Sequence, residues 1–99
     1  MKYELAIRKA AEDDLAQVRD WYDAQRPGLG SEFLIEVDAA CARMVESPLA
    51  YPTMHRDVRR VLVRRFPYKL WFRIVNDTVV VLACTHAARG PTYTNRRLT

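Results

Sequence analysis

The chain reads as an α+β domain of order β-α-α-β-β-β, a helical hairpin packed on a twisted, mainly antiparallel sheet. Three observations carry that reading. Apolar residues alternate at the start, recur at helical spacing through residues 10–48, and alternate again from residue 58. Pro and Gly punctuate the chain where the period changes, at 26–30 and 48–52. Ninety-nine residues, 49% of them hydrophobic, suffice for one small core, so 1–99 is expected to form a single domain.

The first strand is KYELAI, with Tyr3, Leu5 and Ile7 on one side. The first helix is AAEDDLAQVRDWYDAQ, whose stripe is Ala11, Leu15, Val18 and Tyr22. Glu12, Asp13 and Asp14 crowd its first turn, where the helix dipole favours acids. RPGLG breaks this helix, and Ser31 is expected to cap the next, SEFLIEVDAACARMVESP, with its stripe Phe33, Val37, Cys41 and Met44. So short a turn between helices implies an antiparallel hairpin. Pro48 and Pro52 open a loop, PLAYPTMHRD, that leaves His55 solvated. VRRVLVRRF then alternates over 58–66, YKLWFRIV follows Pro67, and Asn76-Asp77 turns the chain into TVVVLACTH. This last strand is apolar enough to be central. The remainder is expected to be a basic tail.

Charge is divided unevenly along the chain. Residues 1–55 hold six Lys/Arg against ten Asp/Glu, whereas residues 56–99 hold ten against two. The split implies a basic face suited to nucleic acid or an acidic protein segment, or one neutralised within the domain. No apolar run approaches the roughly 20 residues that span a bilayer, and MKYELAIRKAAEDD contains no secretory h-region, so the expected location is the cytoplasm with no membrane partner. Cys41 and Cys84 have no neighbours at metal-ligand spacing and are expected to be reduced.

Two groups of residues bear on function. Arg56, Arg59, Arg60, Arg64, Arg65, Lys69 and Arg73 stud the strand pair, opposed only by Asp57. Arginine forks hold phosphate or carboxylate, but the same residues serve as a solvated sheet face, and Glu36 or Asp38 stands ready to pair with those near the helices. The second group is His86, Arg89 and Tyr93. Histidine titrates near neutrality, arginine holds a phosphate, and a tyrosine lowered by cations transfers a proton, so metal-free RNA cleavage has the types it needs. A histidine closing an apolar strand is more often structural. Trp71 and Phe72 are adjacent on a strand, so one belongs to the core and the other is left to solvent or a partner. A glycine-rich phosphate loop, a zinc-ligand set, G-x-S-x-G and paired carboxylates are all missing, so no cofactor and no metal are expected.

Several short pieces, in this order, carry a family resemblance: Asp14-Leu15 with Tyr22, PGLGSEF (27–33), S-P-x-x-Y-P (47–52), Val58-Arg59, RRFPY (64–68), VVVLA (79–83) and H-x-x-R-x-P (86–91). Together they resemble the RelE/ParE toxins of type II toxin–antitoxin systems over residues 3–97. The resemblance implies the fold just derived. It also implies a cytoplasmic toxin wrapped and silenced by a cognate antitoxin, with higher-order toxin–antitoxin assembly. The R-x-P after His86 and the P-G-L-G of a long hairpin are similar to the ParE-like branch, which implies DNA gyrase as the target. Lysine is confined to Lys2, Lys9 and Lys69, too few for the lysine-rich centre of RelE-like ribonucleases. Tyr93 stands where ParE-like chains often carry an aromatic residue, and Gly90 departs from a common acid. The surface implied for target or antitoxin comprises Arg60, Arg64, Arg65, Lys69, Trp71, Arg73, Arg96 and Arg97. The alternative is a RelE-like endoribonuclease acting on the ribosome and its messenger RNA, with Arg59, His86 and Arg89 on the phosphate and Tyr93 in proton transfer. A third reading is an inactive homologue retained as a binding module.

Overall fold

The computed structural model describes residues 2–98. Strand β1 (Glu4–Ile7) leads into α1 (Lys9–Gln25) and α2 (Leu29–Glu46), followed by a 3-10 turn at Pro48–Ala50. Strands β2 (Thr53–His55), β3 (Val58–Leu62), β4 (Tyr68–Val75) and β5 (Thr78–His86) precede α3 (Pro91–Leu98). The sheet order is β1-β5-β4-β3-β2, with β1 parallel to β5 and the other pairs antiparallel. The apolar β5 therefore lies inside the sheet, as its composition implied. No helix among the described residues is long and apolar enough to cross a membrane.

The helical hairpin covers one face of this sheet. Phe33 and Met44 of α2 are wholly buried against Leu70, Phe72, Val79 and Val81, each contributing about 1.5–3 kcal/mol. Tyr22, Phe33, Phe66 and Tyr68 meet edge-on or tilted, at 5.0–6.3 Å between centroids. The hairpin closes tightly because Gly30 has no side chain: a Cβ there would press on the Arg19 carbonyl and stand 2.7 Å from Asp23 Cγ.

Four expectations change. Helix α2 starts at Leu29, not after Ser31, with Gly28 as N-cap at φ +91°. The capping expected of Ser31 is supplied from the other helix, where Asp23 accepts the Gly30 N–H at 2.7 Å. The loop from 48 to 57 contains a further strand, β2, which pairs with Arg59 and Val58 across a turn at Arg56 (φ +55°). Three residues are too few to display a period. Strand β3 stops at Leu62 instead of running to Phe66. Arg65 adopts φ +70°, and Phe66 turns into the core out of alternation.

The largest change is the tail, which forms α3, with Pro91 as its first residue. This helix packs on the outer sheet face, where Leu98 joins Val58, Trp71, Leu82 and Ala83 in a second cluster. Trp71 and Phe72 are therefore both buried, Phe72 under the hairpin and Trp71 under α3. A bulge admits Leu82 between their β5 partners, so Leu82 and Ala83 both meet Trp71. Asp14 of α1 holds the end of α3 by an ion pair with Arg97, and also accepts the Cys84 N–H at 3.0 Å. Arg8 completes the latch, donating to the Leu82 carbonyl at 2.6 Å and the Arg97 carbonyl at 2.7 Å.

Candidate functional site

Strand alternation decides which basic side chains share a face. Val61 of β3 and Leu70 and Phe72 of β4 point to the hairpin, so Arg60, Lys69, Trp71 and Arg73 stand on the outer face. There Arg60 lies opposite Trp71, its guanidinium carbon 6.0 Å from the ring centroid. Together with Lys69 they form one wall of a cleft of about 250 Å³. The other walls are Met54 and His55 of β2, Arg89 after β5, and Pro91, Thr94 and Asn95 of α3. No aspartate or glutamate lines it. Three cations converging without a carboxylate suit a phosphate or a carboxylate supplied by another molecule.

This cleft is legible in the sequence only in part. Arg60, Lys69 and Arg89 meet in it, although they stood in different candidate groups. His55, expected in a solvated loop, is half-buried at its edge. Trp71, expected on the surface for target or antitoxin, lines the cleft but is itself buried, and its Nε1–H donates to Thr85 Oγ1 at 2.8 Å.

The ribonuclease candidates divide. His86, Arg89 and Tyr93 line a second, smaller cleft of about 160 Å³ at the end of the sheet, with Asp14, Gln17 and Tyr68. The Arg89 guanidinium carbon lies 4.5 Å from the centre of the Tyr93 ring. His86 Nδ1 accepts the Ala88 N–H at 3.0 Å, which puts the proton of the neutral ring on Nε2. Burial pushes the Tyr68 phenol up, against a smaller downward pull from Arg89. Arg59 is not part of this cleft. It pairs with Phe72, four residues along β4 from the Tyr68 that pairs with His86, and its guanidinium donates to the Tyr51 carbonyl. Arg89 alone of the four lines both clefts.

Several other candidate cations already have internal partners. Arg73 lies 3.1 Å from Asp57, and Arg65 bridges Glu32 at 2.9 Å and Glu36 at 3.8 Å. Hydrogen bonds from Arg65 and then Arg26 hold the Glu32 carboxyl below its ordinary range. Arg97, expected on the target surface, belongs to the α3 latch, and its bond to Asp14 raises its pKa further. Arg96 is exposed on α3, and Arg64 lies exposed after β3.

Comparisons with known proteins agree with this geometry. Residues 5–91 match the family described as the ParE toxin of type II toxin–antitoxin system, parDE. Toxin ParE2 of Mycobacterium tuberculosis is 26% identical over 92 residues, covering 92% of this chain and 88% of the relative. The fold is shared with a chain of the chromosomal ParDE system from P. aeruginosa, at TM-score 0.77 and 17% identity, covering 86% of this chain and 96% of that one. It is also shared with a doubly mutated E. coli toxin RelE in the free state, at TM-score 0.71 and 18% identity over the full length of both chains. A chain of the toxin–antitoxin complex RelBE2 from M. tuberculosis aligns at TM-score 0.60 and 23% identity, over 87% of this chain and 99% of that one. With the match spanning nearly all of both helices and the sheet, the chain belongs to the ParE family of toxins of type II toxin–antitoxin systems.

Proposed function

We propose that this toxin arrests growth in the cytoplasm by acting on DNA gyrase, until a cognate antitoxin binds and silences it. The observation that carries the reading is the ParE family match over residues 5–91. The layout of titratable groups supports it. His86 and Tyr93 belong to the small cleft at the sheet end, while Arg60 and Lys69 belong to the outer-face cleft. Arg59 is bound elsewhere, to the Tyr51 carbonyl, so the four ribonuclease candidates do not converge on one phosphate, an arrangement that suits binding better than acid–base chemistry. The contact assigned to the target is therefore Arg60, Lys69 and Arg89. The antitoxin is a partner in keeping with the toxin–antitoxin complexes among proteins of this fold. Higher-order assembly with it belongs to the same proposal.

Supercoiling by purified gyrase tests the reading directly. Toxin freed of antitoxin is expected to inhibit it in a dose-dependent way, and full activity at excess toxin overturns the proposal. One observation favours a second reading, a ribosome-dependent endoribonuclease: three cations and His55 line the same cleft. Primer extension on translated message would then reveal toxin-dependent breaks that Arg89→Ala abolishes. Growth arrest on expression without antitoxin excludes an inactive binding module.

A further inference from the structure

An exposed tryptophan lies at the end of the sheet. Trp21 of α1 is 57% exposed and stands edge-on to Tyr22, with 5.1 Å between ring centroids. Tyr68 at the start of β4 pairs with His86 at the end of β5, and their rings also meet edge-on at 5.1 Å. With Pro67, these four residues line an open cleft of about 370 Å³, and no acid among the described residues lines it. That volume falls within the range of about 300–1,000 Å³ usual for small-molecule sites. Tyr68 and His86 also line the smaller cleft of about 160 Å³, so the aromatic cleft and the polar one adjoin. Arg89 lines the polar side, and no carboxylate pairs with it among the described residues. Asp14, the carboxylate on that side, is already taken up by Arg97 and the Cys84 N–H. His86 accepts the Ala88 N–H on Nδ1, which leaves Nε2–H as its donor.

We propose that the two adjoining clefts hold a nucleotide, its base in the aromatic cleft and its phosphate on Arg89. Trp and Tyr faces stack on any base, because every base has a π-face. A guanidinium fork matches phosphate geometry, and the histidine N–H adds a second donor. Aromatic rings also attract organic cations, but Arg89 repels a cation and selects an anion. The same chemistry serves a free nucleotide and one within a single strand. Arg89 lines the outer-face cleft as well. A phosphate held at the sheet end thus withdraws one of the three cations assigned to the target. Only this last consequence rests on the target contact proposed above.

Titration of antitoxin-free toxin with GMP, followed by amide NMR shifts, tests the site. Shifts are expected at residues 21, 22, 68 and 86, and they should saturate. Guanosine and inorganic phosphate each carry only part of the ligand and should bind about tenfold more weakly or worse. Trp21→Ala and Arg89→Ala are each expected to weaken GMP binding by about tenfold. Arg43→Ala removes the same charge from a different groove and should bind GMP as the wild type does. A single-stranded RNA tetranucleotide distinguishes the sources. Tighter binding than GMP at these residues assigns the site to a strand, and weaker binding assigns it to a free nucleotide. Absence of shifts there with both ligands overturns the proposal, as does wild-type GMP affinity in both cleft variants. Tighter binding of tetramethylammonium than of GMP overturns it too. Toxin binding to immobilised gyrase, measured without ATP, should weaken at saturating GMP. A toxin that does not bind gyrase removes this consequence and leaves the GMP titration to stand or fall alone.

Discussion

Asp14 ties together three parts of the chain that lie far apart in sequence. From the first turns of α1 it holds Arg97 of α3 and the backbone N–H of Cys84 in β5. Asp14→Ala leaves a partly buried guanidinium and an amide without their acceptor, and is expected to cost about 2 kcal/mol in urea denaturation. Glu32 governs part of the acid response. Its folded pKa is depressed from the ordinary 4.5, so its contribution is present above that value and is lost as pH falls through the folded value. Glu32→Gln should therefore destabilise at neutral pH and have little effect in strong acid. Burial pushes the Cys41 thiol up to about 11 and the Cys84 thiol up to about 12, so both are expected to resist thiol reagents near neutral pH until the protein unfolds. At this scale the sequence was a poor guide. It named Asp14 as a dipole-favouring acid and Arg97 as a tail cation, because a pair 83 residues apart leaves no trace in local spacing.

The two helices of the hairpin and strands β1, β3, β4 and β5 were legible as elements because each is long enough to show its period. What sequence reading lost was short or conditional. β2 has three residues and exists by pairing with β3. The eight residues of α3 are too few to be stable as an isolated helix. They fold because Leu98 covers Trp71 and the latch holds their end. Removing residues 91–99 in a Trp21→Phe background is expected to expose Trp71 and shift its fluorescence to longer wavelength. An unchanged spectrum would mean that α3 is not what buries it. Within the hairpin, Gly30→Ala is expected to cost about 1–3 kcal/mol, since the new Cβ meets α1 backbone that has no room to yield. Heat denaturation of the variant checks this.

Across the whole molecule, folding sorts the uneven charge of the sequence. Glu32 and Glu36 neutralise Arg65, Asp57 neutralises Arg73, and Asp14 neutralises Arg97. Among the described residues, Arg60, Lys69 and Arg89 meet no carboxylate in the outer-face cleft. Lys69→Ala and Arg89→Ala are expected to weaken gyrase inhibition while changing stability by no more than about 0.5 kcal/mol, as surface positions usually do. The remaining inhibition should also become less sensitive to added salt. Periodicity and punctuation alone were enough to specify the helical hairpin, the central place of β5 and the basic second half, because these depend on residues near one another in the chain. Folding assigned each arginine its role. Strand alternation sets the face a side chain occupies, and packing against α3 and the hairpin sets which carboxylate it meets. Arg60 faces the cleft while its neighbour Arg59 is bound to Tyr51, a division made by pairing partners from distant parts of the chain.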